Sequence, residues 1–201
     1  MITAELVTEA IACARVEIEK YGLPTTLHFD LSLAKAEEIA KTLGADVRLT
    51  VIGTALMDLK LGEAFQQKRL PEHVDMSVAT ARDILARHSL TDEEVSRILN
   101  CIAAHHGTVP HTCLESEITT NADCYRFMHP VGVLSYIGTL SKRHPDLDSV
   151  VNAAEAKLDE KQLLLTLPIC KSELEGHYAA FKAMFAEARH VHGYLKRSAL
   201  A

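Results

Sequence analysis

The stretch TDEEVSRILNCIAAHHG, residues 91–107, decides how the chain is read. Thr91 followed three residues later by Glu94 is a capping box, the sequence signature of a helix start. Val95, Ile98, Leu99 and Ile102 then recur at helical spacing and mark one apolar face. His105 lies three residues beyond Ile102 and His106 four beyond it, so both imidazoles are expected at the inner end of a buried helix face. A buried imidazole needs hydrogen bonds or a metal. Taken singly, a buried histidine is more often a satisfied structural residue than a ligand, so the surrounding chain has to decide.

Outward from this helix the pattern stays helical. Residues 3–20 place Leu6, Ala10 and Cys13 or Ala14 on one face before the break at Tyr21-Gly22-Leu23-Pro24. A second helix is expected from about His28 to the Gly44 stop, through Leu31, Ala34, Ile39 and Leu43. A third, from Asp46 to about Lys60, carries Val51, Ile52, Ala55, Leu56 and Leu59, and the acid Asp58 closes it. A carboxylate at the end of so apolar a helix is costly unless a cation compensates it. A polar loop with Gln66, Gln67, Lys68 and Arg69 follows, and Pro71 opens a helix running from Glu72 or His73 to Leu85. Beyond a loop with Pro110 comes a helix bearing Ala122, Asp123 and Phe127. The last third reads as supporting helices: one with Val150, Val151, Ala154 and Leu158, then one opened by a Ser172–Glu175 capping box. The fold class is all-α, a multi-helix bundle read as a single domain over 1–201. Its core spans about 25–130, with supporting helices over about 145–198.

Composition narrows the functions. A net charge of −6 speaks against a nucleic-acid duplex as partner, which calls for a basic face. It leaves open a small phosphorylated substrate, because a bound metal brings its own positive charge. The N-terminus lacks a basic region followed by an apolar run, and no stretch of about 18 apolar residues is present, so neither a signal peptide nor a membrane span is expected. The 5 cysteines form no CxxC pair, which argues against a zinc knuckle or disulfide framework and for the cytoplasm. A homo-oligomer is compatible with all of this.

Along the chain, His28 in LHFDLSLAKAEEIAKTLGAD, Asp58 in VIGTALMDLK, His73 in LPEHVDMSVATARDIL, His105 and His106 in RILNCIAAHHG, and Asp123 in ESEITTNADCYRF follow in order. That order resembles the HD-domain metal-dependent phosphohydrolases. Their pattern is a leading His, a His-Asp ending an apolar helix, a His after the next loop, a His or His-His at a later helix end and a final Ala-Asp helix. KLDEKQLLLTLP is also similar to helices that follow the core in some members. The family's His-Asp is Met57-Asp58 here, and its following Gly-Lys has become Leu59-Lys60-Leu61. A thioether is a soft donor poorly suited to Mn, Fe, Mg, Co, Ni or Zn, so Met57 is expected to be core.

The resemblance implies one or two divalent ions per chain. The first would sit on His28, Asp58 and Asp123; the second would share Asp58 and add His73 and His105, with His106 adjacent. It further implies that Asp58 anchors catalysis and that the reaction is hydrolysis of a phosphomonoester or phosphodiester, including a nucleotide. Lys60, Lys68 and Arg69 are candidate phosphate contacts, the competing reading being solvated loop charges. His111 is a marginal substrate-side candidate, and the other histidines fit no spacing. The alternative function is a degenerate metal- or ligand-binding domain in which Met57 has removed catalysis. A di-iron oxygenase of the same fold would keep the histidine that Met57 replaces.

Overall fold

The computed structural model describes residues 2–198, and among these every regular element is helical. The chain divides into two compact units, Met1–Asp123 and Cys124–Ala201.

In the first unit, α1 (Ala4–Tyr21), α2 (Thr26–Leu43) and α3 (Val47–Leu56) follow one another with short breaks. Each starts at a residue whose side chain accepts from the backbone two or three positions on: Thr3 from Leu6, Thr25 from His28 and Asp46 from Leu49. Gly22 and Gly44 close the first two in the left-handed conformation that glycine adopts at no steric cost. The apolar α3 is buried from Leu49 to Leu56 and packs against α1, α2 and α6 (Asp92–Ala104). Leu6, Leu49, Ile52, Leu56, Leu85, Ile98 and Ile102 form the centre of this core. Truncating one of these leucines to alanine costs about 2–5 kcal/mol.

The close crossing of α3 and α6 depends on Gly53. A Cβ built there would stand 2.3 Å from the Cβ of Cys101, so any side chain forces the helices apart. Beside it, the hydroxyls of Thr54 and Thr119 meet at 3.2 Å, bringing α7 (Leu114–Met128) onto the same helix. The capping box that opens α6 is present, with Thr91 accepting from the Glu94 N–H and Glu94 accepting from the Thr91 N–H.

Some elements differ from expectation. The third helix stops at Leu56; residues 57–60 turn, and a separate helix α4 (Leu61–Gln66) occupies the start of the expected polar loop. Gly62 of α4 lies so close to α1 that a Cβ would meet the Tyr21 Cβ at 2.5 Å. A single 3-10 turn over Leu70–Glu72 then leads into α5 (His73–Leu85).

In the second unit, α8 (Pro130–Leu140) is a helix the sequence reading did not foresee. It is followed by α9 (Leu147–Leu164) and α10 (Pro168–Ser198), which pack through Val150, Val151, Ala154, Leu158, Cys170, Leu174 and Phe185. The expected capping box at Ser172 and Glu175 does not start a helix, because both residues lie inside α10. The start is at Pro168, whose fixed φ is preorganised for the first helical position and whose missing N–H is not needed there.

Candidate metal centre

Four side chains from three segments of the first unit meet at one point. Asp58 comes from the turn after α3, His73 from the first residue of α5, and His105 and His106 from the turn after α6. Each offers one donor atom, and these atoms all lie within 4.8 Å of one another. The turn that delivers the two adjacent histidines is closed by the Gly107 N–H donating to the Ala104 carbonyl at 2.8 Å. Gly107 itself has φ +69°, which lets the chain reverse directly after the pair.

The geometry commits the ring nitrogens. His73 Nδ1 lies 2.7 Å from the Leu70 carbonyl, and His105 Nδ1 lies 2.7 Å from the Ile102 carbonyl. A carbonyl only accepts, so in each neutral ring Nδ1 carries the hydrogen and Nε2 carries a lone pair. Such second-sphere bonds fix the tautomer and orient the ring of a metal-binding histidine. In both cases the acceptor is the carbonyl three residues back. For His105 it belongs to the last turn of α6, where carbonyls lack helical partners. The sequence marks Ile102 only as part of an apolar face and gives its carbonyl no role, although a histidine just past a helix end is a usable signal for such an acceptor.

The Nε2 atoms face the carboxylate. His73 Nε2 is 3.4 Å and His105 Nε2 3.5 Å from the same oxygen, Asp58 Oδ1, while His73 Nε2 and His106 Nε2 are 3.2 Å apart. Burial works against a charged His73, but the Asp58 carboxylate, the Leu70 carbonyl and the charge of Asp123 together raise its pKa. His105 is wholly buried, and its Nε2 makes no hydrogen bond. A buried polar atom left in that state is costly in a structural role and natural in a ligand. Donors bound to one ion at about 2.0–2.2 Å stand roughly 3–4 Å from one another, and the 3.2, 3.4 and 3.5 Å separations above fall in that range. Three imidazoles and a carboxylate therefore fit a borderline divalent ion.

His28 on α2 and Asp123 on α7 are both buried and lie outside the four-residue group. Met57 is buried with the core residues of α3. The Lys60 ammonium is held by Glu17 at 3.2 Å and Glu63 at 2.9 Å, and Arg69 is paired with Glu72 at 2.6 Å. Lys68 is exposed, with φ +60°. His111 bonds the Thr120 hydroxyl at 2.9 Å. Among the described residues, no helix is long and apolar enough to cross a membrane.

No protein-family profile matches the chain. Ribonuclease Y of Finegoldia magna is 30% identical over 115 residues, which is 57% of this chain and 20% of that protein, so the chain spans about a fifth of its length. Two crystal structures share the fold. One, of a Lactobacillus plantarum protein, has a TM-score of 0.74 at 16% identity and covers 96% of this chain and all of its own. The other is described as a predicted HD superfamily hydrolase from an uncultured Thermotogales bacterium. It has a TM-score of 0.65 at 17% identity and covers 93% of this chain and 92% of its own. The fold is therefore of the HD type, all-helical, and it carries a buried carboxylate–imidazole cluster able to hold a metal.

Proposed function

Starting from this fold and cluster, we propose that the protein is a metal-dependent phosphohydrolase acting on a small phosphomonoester or phosphodiester, nucleotides included. The observation that carries the proposal is the convergence of Asp58 with three imidazoles whose donor atoms lie within 4.8 Å. Asp58, His73, His105 and His106 are the residues that would hold the ion, which supplies Lewis acidity towards a phosphate oxygen and lowers the pKa of a nearby water. Asp58 contributes the negative charge of the site and, through Oδ1, faces His73 and His105 together. The carbonyls of Leu70 and Ile102 keep both rings in the donor tautomer. His28 and Asp123 are proposed as the outer members of the site, the position where a second ion would be held. Mn, Fe, Mg, Co, Ni and Zn all suit this donor set to differing degrees.

Of the three candidate phosphate contacts, Lys60 and Arg69 are already neutralised by glutamates, so Lys68 is the one we retain. The likeness to a ribonuclease favours a phosphodiester, while the net charge of −6 favours a small substrate over a duplex. A cytoplasmic location and self-association are compatible with this reading.

The second reading is a metal- or ligand-binding domain without hydrolase activity, and buried Met57 beside Asp58 favours it. Elemental analysis of protein purified without chelators, with hydrolysis of p-nitrophenyl and bis-p-nitrophenyl phosphate under several divalent ions, separates the two. Bound metal with hydrolysis supports the enzyme; bound metal with no turnover under any ion supports the binding domain; absence of metal binding defeats both.

A further inference from the structure

α5 and α6 pack side by side with the metal cluster at one end: α5 begins at His73, and α6 runs into His105 and His106. Between them lies an open groove of about 460 Å³, none of whose lining residues belongs to the cluster. A volume of that size suits a small molecule. Val78 of α5 and Val95, Leu99 and Ala103 of α6 give it an apolar floor. A third wall is Thr112, in the link that follows the histidine pair. That link is tied down: the Asn100 side chain donates to the Pro110 carbonyl at 3.0 Å and accepts from the Thr112 N–H at 2.9 Å. The groove is therefore formed before anything enters it.

The floor leads to the cluster. Ala103 lies three positions before His106 and Leu99 seven before it, which is one helical face, and His105 keeps a helical backbone between them. His106 is half-buried, and its Nε2 is 3.2 Å from that of His73. Away from the cluster the rim turns polar. Arg82 stands nine positions after His73 and Ser96 nine before His105, so both are about 13.5 Å along the helices from the cluster. Both line the groove and both are exposed. Unlike Lys60 and Arg69, Arg82 has no ion pair among the described residues. Asp92, one turn beyond Ser96, places a negative charge at the far end. An anion in the groove is thereby confined to the level of Arg82.

We propose that this groove receives the organic part of the phosphate ester held at the cluster, and that Arg82 binds a second anionic group of the same molecule. With the cluster read as the phosphohydrolase site, on which this assignment rests, the substrate is an elongated ester with an apolar or ring-bearing body between two negative groups. The guanidinium fork pairs bidentately with a phosphate or carboxylate, and the Ser96 hydroxyl is placed to donate to the same group. Val78, Leu99 and Ala103 shield the body from water. A linear dinucleotide phosphorylated at both ends has this form. A nucleoside monophosphate has no second anion to offer Arg82.

The test titrates the full chain with a linear adenosine dinucleotide phosphorylated at both ends and with adenosine monophosphate, followed by NMR of the backbone amides. EDTA is present, so that no metal-dependent turnover interferes. We expect the dinucleotide to bind at least about tenfold more tightly, the share of one charge-assisted hydrogen bond, and to shift the amides of Ser96, Asn100 and Thr112. Arg82→Ala should reduce that preference to less than about threefold. Ser96→Trp, which fills the groove, should weaken the dinucleotide by about tenfold or more. Both positions are exposed, so urea midpoints and metal content should stay at wild-type values. Equal affinity of the two ligands in wild type, an undiminished preference in Arg82→Ala, or wild-type dinucleotide binding by Ser96→Trp would each overturn the assignment. Turnover is judged separately: Arg82-dependent binding with no hydrolysis under any ion keeps the groove as a ligand site and defeats the hydrolase.

Discussion

Glu115 and Asp58 are both buried carboxylates of the first unit, and their surroundings are opposite in kind. Glu115 accepts from the Asp46 N–H at 3.0 Å and pairs with Arg97 at 2.7 Å. It latches the start of α3 to α6 and α7 with its charge answered. Asp58 faces two imidazole nitrogens at 3.4 and 3.5 Å, beyond good hydrogen-bond length, and the rings' other nitrogens are already committed to carbonyls. The first arrangement already holds its counter-charge in Arg97. The second has electron pairs directed at a common point, which suits a cation. Burial of a carboxylate therefore says little by itself; what its neighbours can donate separates a structural latch from a site for chemistry.

The largest effect expected from this contrast is on metal. Asp58→Ala should abolish metal binding and any phosphatase activity, measured by elemental analysis and p-nitrophenyl phosphate turnover. Its urea unfolding should stay within about 1 kcal/mol of chelated wild type, because the apolar faces of α1, α3 and α6 carry the fold. If Asp58→Ala and chelated wild type are both unfolded, the metal is structural and the contrast with Glu115 collapses.

Glu115→Ala should do the reverse. It leaves the Asp46 N–H without its acceptor and Arg97 without its partner, at a cost of about 1–3 kcal/mol read as a lower urea midpoint with an unchanged slope. Metal content should not move. Loss of metal in Glu115→Ala would mean that the latch also positions the site.

How far the sequence revealed these two regions depends on whether the signal was local. The capping box at Thr91, the glycine stop at Gly44 and the order of Asp58, His73, His105 and His106 are local patterns, and the structure gathers those four side chains. His28 and Asp123 come from the same ordered pattern, and the Asp123 charge acts on His73, but order along a chain does not by itself fix distance. The partners of Glu115 were illegible for the same reason: Asp46 is 69 positions away. α4 is six residues long and owes its place to the approach of Gly62 to Tyr21, a tertiary contact. At Ser172 a local signal was present but outcompeted by Pro168 upstream.

A smaller effect is expected at Met57, which tests how complete the Asp58 cluster is. Met57→His introduces a neutral imidazole next to Asp58, and metal affinity should rise by up to about tenfold in titration calorimetry near pH 7.5. The gain is limited because no partner is in place to orient the new ring, and such partners are worth about 10–100-fold. Met57→Ala should leave metal content unchanged while costing about 2–5 kcal/mol for the cavity. Unchanged affinity in Met57→His would favour the domain without catalysis.

The smallest effect is the response of the two regions to pH, which should differ in sign in chelated protein. Burial alone would raise the Glu115 pKa, but Arg97 and the Asp46 N–H outweigh it and hold the carboxyl below its usual value. Its stabilisation is therefore complete above the unfolded pKa of about 4.3 and is lost as pH falls through the lower folded value. His73 behaves oppositely: its folded pKa is raised, so its contribution is complete below about 6.5 and is lost as pH climbs through the raised value. Urea midpoints of chelated wild type and Glu115→Gln should run parallel between pH 5 and 7 and converge below about pH 4, by the order of 1 kcal/mol. Replacing His73 with Gln should narrow the gap to wild type on the alkaline side instead. Excess metal should erase that second trend, since a cation on Nε2 competes with the proton, and leave the first untouched. If both variants converge with wild type on the acid side, the Asp58 cluster is a charge latch of the Glu115 kind.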